Sequence, residues 1–316
     1  MRGLHLDDAV LTWREDLPEP EIGEGECLVE VLRAGVCATD LALARGYMGF
    51  RGIPGHEFVG RALDGPLRGR RVVGDINAAC GACPTCRAGD PHHCPHRTVL
   101  GIVGRPGAFA ERLALPLVNL LEVPAGVSDE AAIFTEPLAA AFEIAEQLPL
   151  TPTMTALVAG DGKLGLLCAW VLALHGVRVR VAGRHPERQK LLPADVELVT
   201  GLLEPGAAGT GERFDLAVEA TGNPEVLPRL LGRVRPRGTV VLKTTTERAT
   251  TLDLAPVVVD ELQIVGSRCG PFDRALAALA AGQVPVERLV SERFPMREGA
   301  RALAAAPGQL KVVLEP

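Results

Sequence analysis

Residues 158–165, Val158-Ala159-Gly160-Asp161-Gly162-Lys163-Leu164-Gly165, set a G-x-G-x-x-G pattern between two apolar runs, TALVA and GLLCAWVLALHG. The first run has the length of a buried strand and the second that of a helix. The pattern alone is weak, but between a strand and a helix it is a dinucleotide-binding fingerprint. Gly160 permits the tight turn, Gly162 lets the backbone approach a pyrophosphate, and Gly165 lets helix and strand pack closely. Lys163 and Leu164 open the helix, whose N-terminal N–H groups and partial positive charge suit phosphates. The plain alternative is a glycine-rich turn of an unrelated α/β domain. Downstream, VRVRVA, FDLAVEA and GTVVL read as further strands. Strands alternating with helices imply an α/β fold with a doubly wound parallel sheet.

The second strand bears on which dinucleotide is bound. It ends Val181-Ala182-Gly183-Arg184-His185-Pro186-Glu187-Arg188. An NAD site usually carries Asp or Glu at this strand end for the ribose hydroxyls. Gly183 leaves room there, and Arg184, with Arg188 close by, can pair with a 2′-phosphate. The expectation is NADP(H) in preference to NAD(H). The competing view makes both arginines solvated surface charges.

Residues from Met1 to about Leu115 read instead as short strands and turns. CLVEVLRAGV, RRVVGDI and FAERLAL are apolar stretches bounded by Gly, Pro and Asp. A helix is expected over Glu136–Gln147, with Leu138, Phe142 and Ala145 on its apolar face, and LPLTP then marks a domain junction near residue 150. A helix over Asp273–Ala281, the segment LVSERF, a helix over Arg297–Ala306 and the strand KVVL finish the chain. At 316 residues the chain can bury two cores.

Cys80, Cys83, Cys86 and Cys94 lie in AACGACPTCRAGDPHHC with the spacing C-x2-C-x2-C-x7-C. Four thiolates this close suit one tetrahedral Zn²⁺. Two disulfides among them would be strained, and reduced, unliganded thiols are the other alternative. A net charge of −6 argues against a zinc ribbon that grips a nucleic-acid backbone. No apolar run is long enough to span a bilayer, which points away from a membrane partner. MRGLHLDDAV lacks the apolar stretch of a secretory signal, and eight cysteines in a chain of this length point to a reducing cytoplasm.

Three more motifs stand in order along the chain: Gly35-Val36-Cys37-Ala38-Thr39-Asp40, Gly55-His56-Glu57 and Thr135-Glu136-Pro137-Leu138. With the four-cysteine lobe and the dinucleotide half, this order resembles the zinc-dependent alcohol dehydrogenases of the medium-chain dehydrogenase/reductase family, over essentially the whole chain. The resemblance implies a GroES-like, β-rich catalytic domain over 1–149 and 291–316, carrying a structural zinc lobe at 80–94, and a Rossmann domain over 150–290. It implies two zinc ions per subunit, one structural and one catalytic. Cys37 and His56 correspond to catalytic zinc ligands. Glu136 stands where the family has its third ligand, a replacement of Cys similar to the polyol and sugar dehydrogenase branch. Glu57 is implied as a neighbouring carboxylate able to enter the metal's own shell, and Asp40 as the residue that orients the zinc-binding histidine. Thr39 corresponds to the hydroxyl that accepts the alcohol's proton, and Lys311 to a basic residue near the pyrophosphate. Ala42 stands where the family often has a histidine that relays the proton to solvent.

The implied reaction moves hydride between a nicotinamide and a secondary alcohol, polyol or sugar-like hydroxyl, the partner being a small alcohol or carbonyl. The family's dimers and tetramers imply a homo-oligomer. Each motif also has an ordinary reading: a buried histidine at 56, a helix N-terminal carboxylate at 136, a turn threonine at 39, a surface lysine at 311. Two further functions share the fold. A zinc-free quinone or enoyl reductase is disfavoured by Cys37, His56 and the lobe. A non-catalytic NADP-binding scaffold is disfavoured by Thr39 and the full candidate ligand set.

Overall fold

The strand Glu26–Gly35 buries Cys27, Val29 and Val31 at alternate positions, then slips phase at a bulge between Val31 and Arg33, so that Ala34 is buried next. In the computed structural model, which describes residues 1–203, 211–246 and 248–316, this strand organises the first of two compact units. That unit comprises Met1–Glu136 and Phe272–Pro316. Its main sheet runs Leu120–Glu122, Arg71–Gly74, Glu57–Ala62, Glu26–Gly35, Lys311–Glu315, Val290–Pro295, and Arg112–Pro116 pairs with the first half of Glu26–Gly35. Gly35 lies opposite Glu57 on one side and Val313 on the other. This register sets three sequence-distant segments side by side: the start of Cys37-Ala38-Thr39-Asp40, the His56-Glu57 pair and Lys311. A hairpin, Gly3–Asp7 with Val10–Arg14, and a small sheet of Asn77–Ala78, Thr98–Leu100 and Gly104–Arg105 complete the described strands of this unit. Leu100, Phe109, Leu113 and Leu115 are fully buried in its core.

The second unit, Pro137–Pro271, has six parallel strands in the order Glu197–Thr200, Arg178–Gly183, Thr155–Ala159, Phe214–Glu219, Val234–Leu242, Gln263–Gly266. Numbered along the chain this is 3-2-1-4-5-6, the doubly wound dinucleotide-binding order. Ala156 to Ala159 are all completely buried, as befits a strand covered on both faces. The expected alternation is thus present. Three short strands, Glu57–Ala62, Glu197–Thr200 and Gln263–Gly266, had no clear alternation to reveal them.

The compact units divide at Glu136/Pro137 and Pro271/Phe272, earlier than the junctions read near residues 150 and 290. The sequence break at LPLTP ends the helix Thr135–Gln147, but that helix already belongs to the second unit from its third residue, Pro137. Likewise the helix Phe272–Ala280 is grouped with the first unit ahead of the strand Val290–Pro295. Among the described residues no helix is long and apolar enough to cross a membrane.

Candidate active site and metal centres

Cys37 sits at the N-cap of the short helix Ala38–Leu43 in extended conformation. Asp40, buried at the third position of that helix, reaches back: its Oδ2 accepts the Cys37 N–H at 2.8 Å and its Oδ1 the Gly55 N–H at 3.2 Å. One carboxylate therefore ties the Cys37 turn to the backbone just before His56. His56 is buried, with Nδ1 3.4 Å from Asp40 Oδ1 but no hydrogen bond of good geometry. Burial pulls the imidazole pKa down. The Asp40 carboxylate and the Cys37 thiol more than reverse this, so it stands well above its ordinary value. A buried site that raises a histidine's affinity for a proton is one that attracts a cation.

Ligand atoms of Cys37, His56 and Glu57 lie within 4.8 Å of one another. A half-buried thiol converging with a buried imidazole and a buried carboxylate makes a zinc donor set. Thr39 stands beside it, with Oγ1 3.9 Å from Cys37 Sγ. Glu136, in the first turn of Thr135–Gln147 and half-buried, is not gathered into this group. The carboxylate brought to Cys37 and His56 is that of Glu57.

Lys311 is placed differently from the sequence expectation. It is neither a surface lysine nor offered to a phosphate, because its side chain is buried and its Nζ donates to Glu57 Oε2. The physical reason is strand position. Lys311–Glu315 lies inside the sheet, between Glu26–Gly35 and Val290–Pro295, and not at an edge. The ammonium also stands 5.1 Å from the centroid of the Phe134 ring. Burial lowers its pKa to about 8, against the upward pull of Cys37 and Asp40. Both partners of the Glu57–Lys311 pair have side chains 0 % exposed. Removing one partner of such a pair costs about 3–5 kcal/mol. Lys311→Met is expected to lose that much unfolding stability in chelator, and less in zinc, where the Glu57 carboxylate gains a second cation. Urea denaturation under both conditions checks this, and wild-type stability in chelator would contradict it.

The four lobe cysteines also converge within 4.8 Å. Sulfur separations are 3.5 Å for Cys83–Cys86, 3.8 Å for Cys83–Cys94 and 3.6 Å for Cys80–Cys94. Zinc–sulfur bonds of about 2.3 Å put the corners of a tetrahedron about 3.8 Å apart, so the donors fit one zinc ion. All four are free thiols. Backbone N–H groups of Ala82 and Cys83 draw the Cys80 thiol down to about 6, while burial and neighbouring thiols push Cys86 up to about 12. Such a quartet ionises fully only around a cation. A fastening the sequence did not reveal adjoins the lobe. His92 Nε2 meets Asp75 Oδ2 at 2.5 Å, and Asp75 Oδ1 accepts the Asn77 N–H at 2.9 Å. Asn119 Nδ2 then donates to the carbonyls of Asp75 and Asn77.

In the second unit the glycine turn takes the expected form. Gly160 has φ +108°, which favours glycine, and a Cβ on Gly165 would fall 1.9 Å from Gly160 O. Gly162 is the N-cap of the helix Lys163–Leu174, whose first residues are Lys163 and Leu164. Gly183, Arg184 and Arg188 lie at and just beyond the end of Arg178–Gly183, beside the turn.

A thiol–imidazole–carboxylate cluster in one unit and a glycine turn between strand and helix in the other fit a metal-assisted, nicotinamide-dependent dehydrogenase. Comparison with known proteins narrows the class. Residues 23–125 match the alcohol dehydrogenase GroES-like domain, and residues 129–315 match the glucose dehydrogenase C-terminus. The chain belongs to the zinc-dependent alcohol dehydrogenases of the medium-chain dehydrogenase/reductase family. It is 32% identical to the L-threonine 3-dehydrogenase of Streptomyces avermitilis, over 96% of this chain and 95% of that protein. It is 29% identical to the erythritol/L-threitol dehydrogenase of Mycolicibacterium smegmatis, over 96% and 94%. A zinc-binding dehydrogenase from Sinorhizobium meliloti 1021, bound to NADP, superposes with TM-score 0.88 at 26% identity, over 100% of this chain and 99% of that one.

Proposed function

We propose that this enzyme moves hydride between a secondary alcohol, polyol or sugar-like hydroxyl and a nicotinamide cofactor, with NADP(H) preferred over NAD(H), and that each subunit holds two zinc ions. The observation that carries this reading is the convergence of half-buried Cys37 with buried His56 and Glu57, the Cys37 turn and the backbone before His56 being tied together by Asp40. When bound there, zinc supplies Lewis-acid polarisation of the substrate oxygen. Cys37 and His56 would hold the metal, with a carboxylate from Glu57 or Glu136. Comparing the zinc content of Glu57→Gln and Glu136→Gln assigns the third ligand.

The remaining work falls to the chain's own groups. Asp40 fixes the Cys37 turn and the backbone before His56, so the two ligands keep their spacing. Thr39, beside Cys37, takes the hydroxyl proton during oxidation. With Ala42 in place of a relay histidine, Thr39 would pass its own proton on to water as it accepts that of the substrate. The Gly160–Gly165 turn and the helix N-terminus at Lys163 and Leu164 hold the pyrophosphate of the hydride acceptor. Arg184 and Arg188 supply positive charge for a 2′-phosphate.

The named relatives oxidise a hydroxy amino acid and four-carbon polyols, which favours a substrate with a hydroxyl flanked by polar groups. The enzyme works in the reducing cytoplasm as a homo-oligomer, a dimer or tetramer. The test is a screen of polyols, aldoses, cyclitols, L-threonine and simple alcohols with both nicotinamides. Chelator-sensitive oxidation with higher kcat/KM for NADP is expected. Better kcat/KM with NAD would overturn the cofactor preference, and no turnover with any substrate would overturn the dehydrogenase reading.

A further inference from the structure

The end of the strand Arg178–Gly183 is occupied by a side chain from the glycine turn. Asp161 is 5 % exposed. Its Oδ2 accepts the backbone N–H groups of Arg184 and His185, each at 2.8 Å, and lies 3.0 Å from His185 Nδ1. Arg188 Nη1 is 3.5 Å from Asp161 Oδ1 and donates to the Asp161 carbonyl at 2.9 Å. Two successive backbone N–H groups, an imidazole and a guanidinium around one carboxylate make an anion-binding nest, and the anion in it is the chain's own. Burial pushes the Asp161 carboxyl up, but the N–H groups and ring of His185 and the N–H of Arg184 bring it below its ordinary value, so it is charged at neutral pH.

Gly183 belongs to the same arrangement. A Cβ at that position would lie 2.6 Å from Asp161 Oδ2 and 2.7 Å from Asp161 Cβ. Position 183 therefore cannot carry a side chain while Asp161 keeps its place. The room that Gly183 leaves is filled by Asp161, not left open for a phosphate.

We infer that Asp161 is a specificity-determining residue of the cofactor site, its carboxylate competing with the 2′-phosphate of NADP(H) for the nest formed by residues 184, 185 and 188. This rests on the reading that the Gly160–Gly165 turn binds a nicotinamide dinucleotide. A 2′-phosphate meets like charge where the nest donors point, and Arg188 and His185 are already turned toward that carboxylate. The NADP(H) preference that Gly183 and Arg184 would give is reduced accordingly.

Asp161→Asn keeps an oxygen that can accept from the loop N–H groups and removes the charge. Calorimetric titration of wild type and variant with 5′-AMP and 2′,5′-ADP reads the effect without turnover. The Kd ratio of 5′-AMP to 2′,5′-ADP is expected to rise about tenfold in the variant, equivalent to about 1.4 kcal/mol, with 5′-AMP itself changing little. An unchanged ratio, or equal weakening of both nucleotides, would overturn the inference and leave Asp161 as a loop tether only. Asp161→Ser is the second variant should the first not fold, with the same two outcomes. The wild-type NADP-to-NAD ratio tests the proposed preference separately, because the competition concerns the change on substitution and not the wild-type ratio.

Discussion

Cys37→Ala is expected to abolish alcohol oxidation while leaving one zinc ion per subunit. Loss of a group that merely orients a ligand already lowers metal affinity or activity about 10–100-fold. Loss of the ligand itself should exceed the upper end of that range. The substitution is confined to the N-cap of a six-residue helix, and the contact from the Cys37 N–H to Asp40 does not need the side chain. The fold and the lobe should therefore survive. Metal analysis beside the activity assay reads both effects. Full turnover with two zinc ions retained would show that Cys37 is not a ligand.

Cys94→Ser is expected to act on stability instead. Cys94 is buried and lies within 3.8 Å of both Cys83 and Cys80 sulfurs, so its loss opens the quartet. Zinc-binding energy in closed cysteine sites is folding energy, on the order of 10 kcal/mol for small zinc peptides. Here the lobe is attached to a β unit with a core of its own. The consequence should be local: release of the lobe's zinc, unfolding of residues 80–94, and loss of the His92–Asp75 contact. Limited proteolysis should cut the variant within 80–94 under conditions that leave wild type whole. Proteolytic resistance with only the catalytic zinc present would mean that the lobe holds its shape without metal. These two variants divide the roles, one silencing chemistry with the fold kept, the other loosening the fold around an intact site.

Sequence spacing made much of this legible. The lobe is local in sequence, so four cysteines within fifteen residues were enough to predict their convergence. The glycine turn is local too, because its strand, turn and helix are consecutive. Contacts made by sheet register were not legible. Lys311 heads the apolar run KVVL and looks like the start of an edge strand. Only the pairing of Val313 with Gly35, and of Gly35 with Glu57, turns it into a buried partner of Glu57. Asp161 was hidden for another reason. Between two turn glycines an aspartate is expected in solvent, and nothing local shows that Gly183, twenty-two positions on, makes room for it. Glu136 was named from motif order beside Glu57; the structure gathers Glu57 with Cys37 and His56, and metal analysis of the two Gln variants decides between the carboxylates.

The most direct test is anomalous diffraction at the zinc edge from crystals of the fully metal-loaded enzyme. Two peaks per subunit are predicted, one within the four lobe sulfurs and one within bonding distance of Cys37 Sγ and a ring nitrogen of His56. A single peak in the lobe at full loading, with nothing between Cys37 and His56, would contradict the assignment of this chain's catalytic centre.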